Sequence, residues 1–375
     1  MNKIENTKYY SKKIGELADG CKMCVKGEKL VLYITGICPR KCWYCPLSEN
    51  RKNIDIIYAN ETKISEIDEV IAEAKISQAK GAGITGGDPL AKIDRTTMFI
   101  KKLKETFGKN FHIHLYTTFI YSNEENFEKL YFSGLDEIRF HPDFNNKNHW
   151  KRIDKALKYG WDVGIEIPVL PNLENETIEM VEYFADKNIK FINLNELEIA
   201  ETNVIGMDKE NYEPKKDISP GVKGSQKLAN KILKLLEYKQ INVHYCPSKL
   251  KDKVQMLNRY KLRAKNVSTQ YDIITSEGLL IKGCIYIKEA DPRKIKVKKL
   301  NEKEKNKIFQ LLEIKKKYFD KEDLETIIDL DKLRFETYPE HVEQFSKLLK
   351  KEGFIPAIIE EDPTSDRIEI NRHFL

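Results

Sequence analysis

Leu30-Val31-Leu32-Tyr33-Ile34-Thr35, followed closely by Cys38-Pro39-Arg40-Lys41-Cys42-Trp43-Tyr44-Cys45, is the stretch on which the reading of this chain turns. The first six residues form a continuous apolar run of strand length, rich in β-branched and aromatic side chains. The second segment places three cysteines at C-x3-C-x2-C spacing, in a chain with only seven cysteines among 375 residues. Three thiolates on a tight loop after a strand can hold three corners of a [4Fe–4S] cluster, because thiolate sulfur is the ligand such clusters take. One iron is then left without a protein ligand and stands open to a small molecule. A zinc site usually brings four ligands in two closely spaced pairs, which the triplet does not supply. Ordinary core cysteines would not be interleaved with Pro39, Arg40 and Lys41.

Working outward, Gly81-Ala82-Gly83-Ile84-Thr85 reads as a short buried strand that runs into Gly86-Gly87-Asp88-Pro89. Glycines there allow backbone conformations closed to other residues and a close approach to a ligand. Further strands are expected at 111–117, 137–140, 163–169 and 191–197. Amphipathic helices are expected between them at 64–80, 95–106, 124–132, 148–159 and 178–187. This alternation implies βα units, a parallel sheet and an α/β fold. In barrels built this way, chemistry gathers at the C-terminal ends of the strands. Both the cysteine loop and the glycine turn fall at such ends. The same rule nominates Thr117, Arg139, His141 and Glu166 as cofactor or substrate contacts.

The cysteine loop, with aromatic Tyr44 just before its last cysteine, and the Gly86-Gly87-Asp88 turn resemble the signatures of the radical S-adenosylmethionine (radical SAM) superfamily. The resemblance implies a partial (βα)6 TIM-type barrel at 29–247. It makes Cys38, Cys42 and Cys45 the ligands of a catalytic [4Fe–4S] cluster. Tyr44, Gly86, Gly87 and Asp88 then help to hold SAM, with Asp88 standing where glutamate is more usual. It further implies an enzyme that cleaves SAM reductively to a 5′-deoxyadenosyl radical, which abstracts hydrogen from a substrate. An electron donor such as ferredoxin or flavodoxin is expected. With the early C-x2-C pair and His244-Tyr245-Cys246-Pro247, the chain resembles an archaeal branch described as related to pyruvate formate-lyase activating enzyme. The substrate stays open between glycyl-radical activation of a protein, modification of RNA or protein, and small-molecule chemistry.

Four cysteines lie outside the triplet. Cys21 and Cys24 sit in the N-terminal segment 1–28, and Cys246 and Cys284 far downstream. If they converge, they can bind a second [4Fe–4S] cluster or a zinc ion; otherwise Cys246 and Cys284 are small core residues. Residues 248–375 read as a basic helix followed by a small appended α+β domain. Positions 248–317 carry a net charge of +12, leaving −6 on the rest of a chain whose total is +6. Such a segment can engage RNA or an acidic protein partner, or simply be a solvated charged face. The competing reading is a non-catalytic, metal-stapled RNA-binding protein, against which the glycine turn argues. No apolar run long enough for a membrane span and no apolar leader is present, so a cytoplasmic protein with reduced thiols is expected.

Overall fold

The computed structural model describes residues 3–216 and 219–375. The chain forms two compact units, Met1–Arg259 and Tyr260–Leu375. In order, the first contains β1 (Ile4–Asn6), β2 (Lys12–Ile14), α1 (Asp19–Lys26), β3 (Lys29–Tyr33), the hairpin β4 (Ile57–Ala59) and β5 (Thr62–Ile64), α2 (Ile67–Ile76) and β6 (Gly81–Thr85). Next come α3 (Ile93–Phe107), β7 (His112–Thr117), α4 (Glu124–Ser133), β8 (Glu137–Phe140), α5 (Ile153–Ala156), β9 (Asp162–Val169) and α6 (Glu174–Ala185). The unit is completed by β10 (Phe191–Glu196), α7 (Val204–Lys209), α8 (Ser225–Leu236), β11 (Asn242–Cys246) and a short α9 (Ser248–Leu250). A π-helical turn over Lys251–Met256 leads into α10 (Leu257–Val267), within which the unit ends.

The sheet order is β1-β2-β11-β10-β9-β8-β7-β6-β3-β4-β5. Seven central strands run parallel, from β11 to β3. Six follow from the βα alternation, and the apolar run 241–245, which the sequence offers as an extension of the barrel edge, forms the seventh, β11, paired in register with β10 from Phe191↔Asn242 to Asn195↔Cys246. Antiparallel hairpins continue both edges, so the barrel is open. The hairpin at β4 and β5 displaces the start of the helix expected from residue 64 to Ile67, and its turn places Asn60 at φ 52°.

Side chains alternate across each strand. Leu30, Leu32, Ile84, Ile113, Leu115 and Ile138 are buried in the apolar layer shared with the helices. In α3, Thr96, Phe99, Ile100 and Leu103 are buried at helical spacing. At α4, the Asn123 side chain accepts a bond from the Asn126 amide and Gly134 ends the helix in the left-handed conformation. Those caps explain why the helix occupies this segment and no more. The opposite face of the sheet carries polar residues, among them Arg139, Glu166, Asn193 and His244.

The second unit holds β12 (Ile273–Ile274), β13 (Leu280–Tyr286), α11 (Glu302–Lys321), β14 (Ile327–Asp329), β15 (Arg334–Thr337), α12 (Pro339–Lys351), β16 (Ile355–Glu361) and β17 (Glu369–Phe374). Its sheet runs β14-β15-β13-β16-β17, with β12 paired to β13. Ile285, Leu312, Phe319 and Phe335 centre its core. Lys282 is buried among Asp272, Glu336 and Glu361 at 3.0–3.2 Å. Other basic residues of 248–317 are also committed to partners: Lys251 to Glu198 at 2.6 Å, Arg259 to Glu61, and Arg293 to Asp291 at 2.8 Å. Among the described residues, no helix is long and apolar enough to cross a membrane.

Candidate active site

The polar face of the barrel sheet encloses a cavity of about 500 Å³. Every one of the seven parallel strands contributes to its wall, as do α1, the cysteine loop and the π-helical turn. Cys38, Cys42 and Cys45 line it together, all three partly exposed and free. Burial pushes the Cys38 thiol up to about 11, against a backbone hydrogen bond at Arg40 that lowers it. Burial also raises Cys42, with the Arg40 guanidinium opposing.

The loop that carries these thiols is pinned from several sides. Arg40 Nη1 donates to the carbonyls of His141 and Pro142 at 2.9 and 3.1 Å, and its Nη2 lies 3.4 Å from Asp143. Asn203 donates to the Tyr44 carbonyl at 3.1 Å and Thr202 to that of Cys45 at 3.3 Å. Trp43 stacks on Tyr212 with centroids 5.5 Å apart. These anchors come from the ends of β8 and from the connection after β10. They hold thiols on a loop in place without packing them into a core.

The glycine turn lies directly against the start of the cysteine loop. The amide of Gly87 donates to Thr35 O at 2.7 Å and that of Asp88 to Ile37 O at 2.8 Å. Gly86 has φ +144°, and a Cβ there would sit 2.3 Å from Thr35 O. A Cβ on Gly87 would sit 2.4 Å from Ile37 O. Only glycine permits this approach. Gly86→Ala should therefore cost roughly 1–3 kcal/mol in backbone strain alone and displace the cysteine loop. Gly108→Ala is the control, since its φ is +85° but nothing lies within 4 Å of the added carbon. Urea unfolding and iron retention of the two variants check this; Gly86→Ala should lose both stability and iron, and Gly108→Ala stability alone.

Asp88 is a correction to the expected cofactor contacts. Its carboxylate is wholly buried and is not part of the cavity lining. It accepts from Thr117 Oγ1 at 2.8 Å, from Thr118 Oγ1 at 2.6 Å, and from the amides of Thr118 and Leu90 at 3.1 and 3.0 Å. Asp88 thus ties the glycine turn to the end of β7 and positions the turn. Thr117 lines the cavity but directs its hydroxyl to Asp88.

Arg139, Glu166 and their neighbours form the charged floor of the site. Arg139 donates to Glu137 at 2.5 Å, to Glu166 at 2.8 Å and to Tyr116 Oη at 3.2 Å. Glu166 also accepts from Asn193 and Asn195, both at 2.9 Å. Burial works to raise the Glu166 pKa, but Arg139 and the two amides prevail and hold it at about 2. Glu166 is therefore a fixed anion at neutral pH. His141 bridges two elements: Nδ1 meets the Glu166 carbonyl at 3.1 Å and Nε2 meets Tyr44 Oη at 3.0 Å. An Nδ1–H tautomer satisfies both contacts, donating to the carbonyl and accepting from the tyrosine. Burial, and next the Arg40 charge, depress its pKa to about 4. Burial also holds His114 well below its ordinary value.

These imidazoles give stability a definite pH dependence. The unfolded chain protonates them below about 6.5, whereas folded His141 resists until about 4. Stability is complete above the first value and falls as pH drops toward the second, by roughly 3 kcal/mol for His141 alone. The urea midpoint should accordingly fall from pH 7 to pH 5, with a shallower slope in His141→Gln. An unchanged midpoint would contradict the neutral assignment.

Cys21, Cys24 and Cys246 line the same cavity. Cys284 does not: it is wholly buried in the second unit beside Tyr286, Ala357 and Ile359, and burial raises its pKa. Of the four thiols outside the triplet, three line the cavity, and Cys284 takes the other alternative, a small core residue. Several wall residues escaped the sequence reading, including Lys29, Arg40, Tyr116 and His244. Lys29 and Tyr116 sit on the inward register of β3 and β7, a signal present in strand alternation but not used.

Among the described residues, no three His, Cys, Asp or Glu side chains converge on a single-ion position. An iron–sulfur cluster asks something else of its cysteines, because each thiolate takes a separate iron. Three soft thiols on one pinned loop fit that requirement. The Gly86–Gly87 backbone, pressed against the loop without side chains, leaves room beside them for a second small molecule.

Residues 32–217 match the family model of the Radical SAM superfamily. The chain is 47% identical over 314 residues to a protein of Methanocaldococcus jannaschii provisionally named a glycyl-radical enzyme activating enzyme, covering 81% of this chain and 83% of that one. It is 29% identical over 179 residues to the GTP 3′,8-cyclase of Staphylococcus carnosus, covering 43% and 52%. Among solved structures it is similar to SuiB of Streptococcus suis bound to its precursor peptide SuiA, at TM-score 0.42 and 14% identity, covering 68% of this chain and 56% of that one. It is also similar to the radical SAM methyltransferase TsrM of Kitasatospora setae, at TM-score 0.39 and 11% identity, covering 67% and 54%. The chain thus spans about half the length of those two solved proteins.

Proposed function

The chain belongs to the radical SAM superfamily, and from that premise we propose that it activates a partner protein by removing a hydrogen atom from a glycine of its backbone. A reduced [4Fe–4S] cluster, when bound, supplies one electron that splits SAM into methionine and a hydrogen-abstracting 5′-deoxyadenosyl radical. Cys38, Cys42 and Cys45 would hold that cluster. The backbone of Gly86 and Gly87 would receive the amino-acid end of SAM beside it. Glu166, a fixed anion, and the Tyr44–His141 pair would form the polar wall around the rest. The observation that carries the reading is the joining of the three loop thiols and the glycine turn in one cavity.

A protein substrate is supported by the name of the M. jannaschii relative. An RNA substrate has less support, because Lys251, Arg259 and Arg293 are already paired with carboxylates. A low-potential donor such as ferredoxin or flavodoxin would supply the electron. The test uses reconstituted protein, reductant and SAM, mixed with protein extracted from cells grown on glycine deuterated at Cα. The expected result is 5′-deoxyadenosine carrying one deuterium. Product that forms in quantity yet stays unlabelled would overturn glycine as the hydrogen donor.

A further inference from the structure

Three thiols outside the catalytic loop face the same cavity. Cys21 and Cys24 lie on α1, one turn apart and hence on one face of the helix. Cys246 ends β11 and lines the cavity with both of them. Helix α1 packs against β3, β6, β7 and the π-helical turn that follows Cys246. Its position is fixed by close packing: a Cβ on Gly20 would sit 2.5 Å from His114 Nδ1 and 2.6 Å from Arg139 Nη2.

Hydrogen-bond donors face two of these sulfurs. Arg139 Nη1 donates to Cys21 Sγ at 3.5 Å, Asn193 Nδ2 to the same sulfur at 3.4 Å, and Gln255 Nε2 to Cys246 Sγ at 3.9 Å. Lys29, on β3 against which α1 packs, adds a second cation to the same wall. A buried group in the same wall points to a bound partner as well. His244 is 4% exposed, sits beside Asn193 in the strand register, and has both ring nitrogens without a hydrogen-bond partner. Native interiors rarely leave such atoms unsatisfied.

We propose that Cys21, Cys24 and Cys246 hold a second [4Fe–4S] cluster, three thiolates to three irons, with its remaining iron toward the cavity. The all-sulfur donor set selects iron–sulfur over hard metal ions. A structural zinc would draw four ligands onto one ion, for which His244 is the available fourth, but among the described residues no three His, Cys, Asp or Glu side chains are placed to hold a single metal ion, whereas a cluster takes each thiolate on a separate iron. The hydrogen bonds from Arg139, Asn193 and Gln255 to sulfur are the kind that tune a cluster's potential. A second one-electron centre then lines the same cavity as Cys38, Cys42 and Cys45. The inference stands on a different set of cysteines from the proposed activity and does not rest on it.

The test is iron, sulfide and zinc per chain with Mössbauer spectra, after anaerobic reconstitution with ⁵⁷Fe. Wild type should hold about eight irons, all in [4Fe–4S] form. Cys21→Ala/Cys24→Ala/Cys246→Ala should keep about half, and Cys284→Ala should keep all. Cys38→Ala/Cys42→Ala/Cys45→Ala should also keep about half, now with the signal of the second cluster alone. About four irons in wild type, or zinc in place of the second set, overturns the proposal whether or not the variants fold. Loss of iron only at the first triplet would instead leave the catalytic reading intact and remove this one.

Discussion

Replacing Cys38, Cys42 and Cys45 together by alanine is expected to abolish SAM cleavage and to remove about four irons per chain, while leaving the melting temperature of the metal-free protein nearly unchanged. The two effects separate because of where the thiols sit. They are partly exposed on a loop and belong to no hydrophobic cluster, so alanine deletes ligands without opening a core cavity. The loop's own anchors, Arg40, Asn203 and Thr202, are untouched. Metal analysis, 5′-deoxyadenosine assay and calorimetry of the apoprotein together check this. A variant that keeps full iron would show that the loop is not a cluster site.

The second large effect concerns Arg139. Arg139→Met should destabilise the first unit by about 3–5 kcal/mol. The guanidinium is 2% exposed and pairs with both Glu137 and Glu166, themselves 0% and 15% exposed. Removing it strands two carboxylates in a low-dielectric interior, and stranding a buried charge is far more damaging than lacking the pair altogether. A double variant, Arg139→Met with Glu137→Gln, should recover part of the loss, since one stranded charge is then gone. Urea unfolding of both variants measures the difference. Equal midpoints for wild type and Arg139→Met would refute the role given to the network.

The same residue shows how far the sequence could be read. Arg139 and His141 are legible as inward positions near the end of a strand, because alternation and strand polarity are local properties. Their work is not legible. Arg139 meets Glu137 two residues away but also Glu166 and Cys21, which lie far off in the chain. Asp88 illustrates the same limit. The turn it belongs to is a short-range signal, yet whether its carboxylate faces a cofactor or two threonines depends on how β7 ends beside it. Cysteine counting placed Cys246 and Cys284 on equal terms. The fold separates them, one at the end of a barrel strand and the other in the core of the second unit's sheet. The cysteine loop itself needed no tertiary information, since three ligands within one turn of chain carry their geometry with them.

The most direct test of the central claim is a single-turnover experiment on the reconstituted wild-type chain, reduced by dithionite and mixed with SAM in the absence of any substrate. Formation of 5′-deoxyadenosine and methionine in equal amounts, absent in Cys38→Ala, is the expected result. A chain that carries its iron at Cys38, Cys42 and Cys45 and binds SAM, yet yields neither product, would contradict the account.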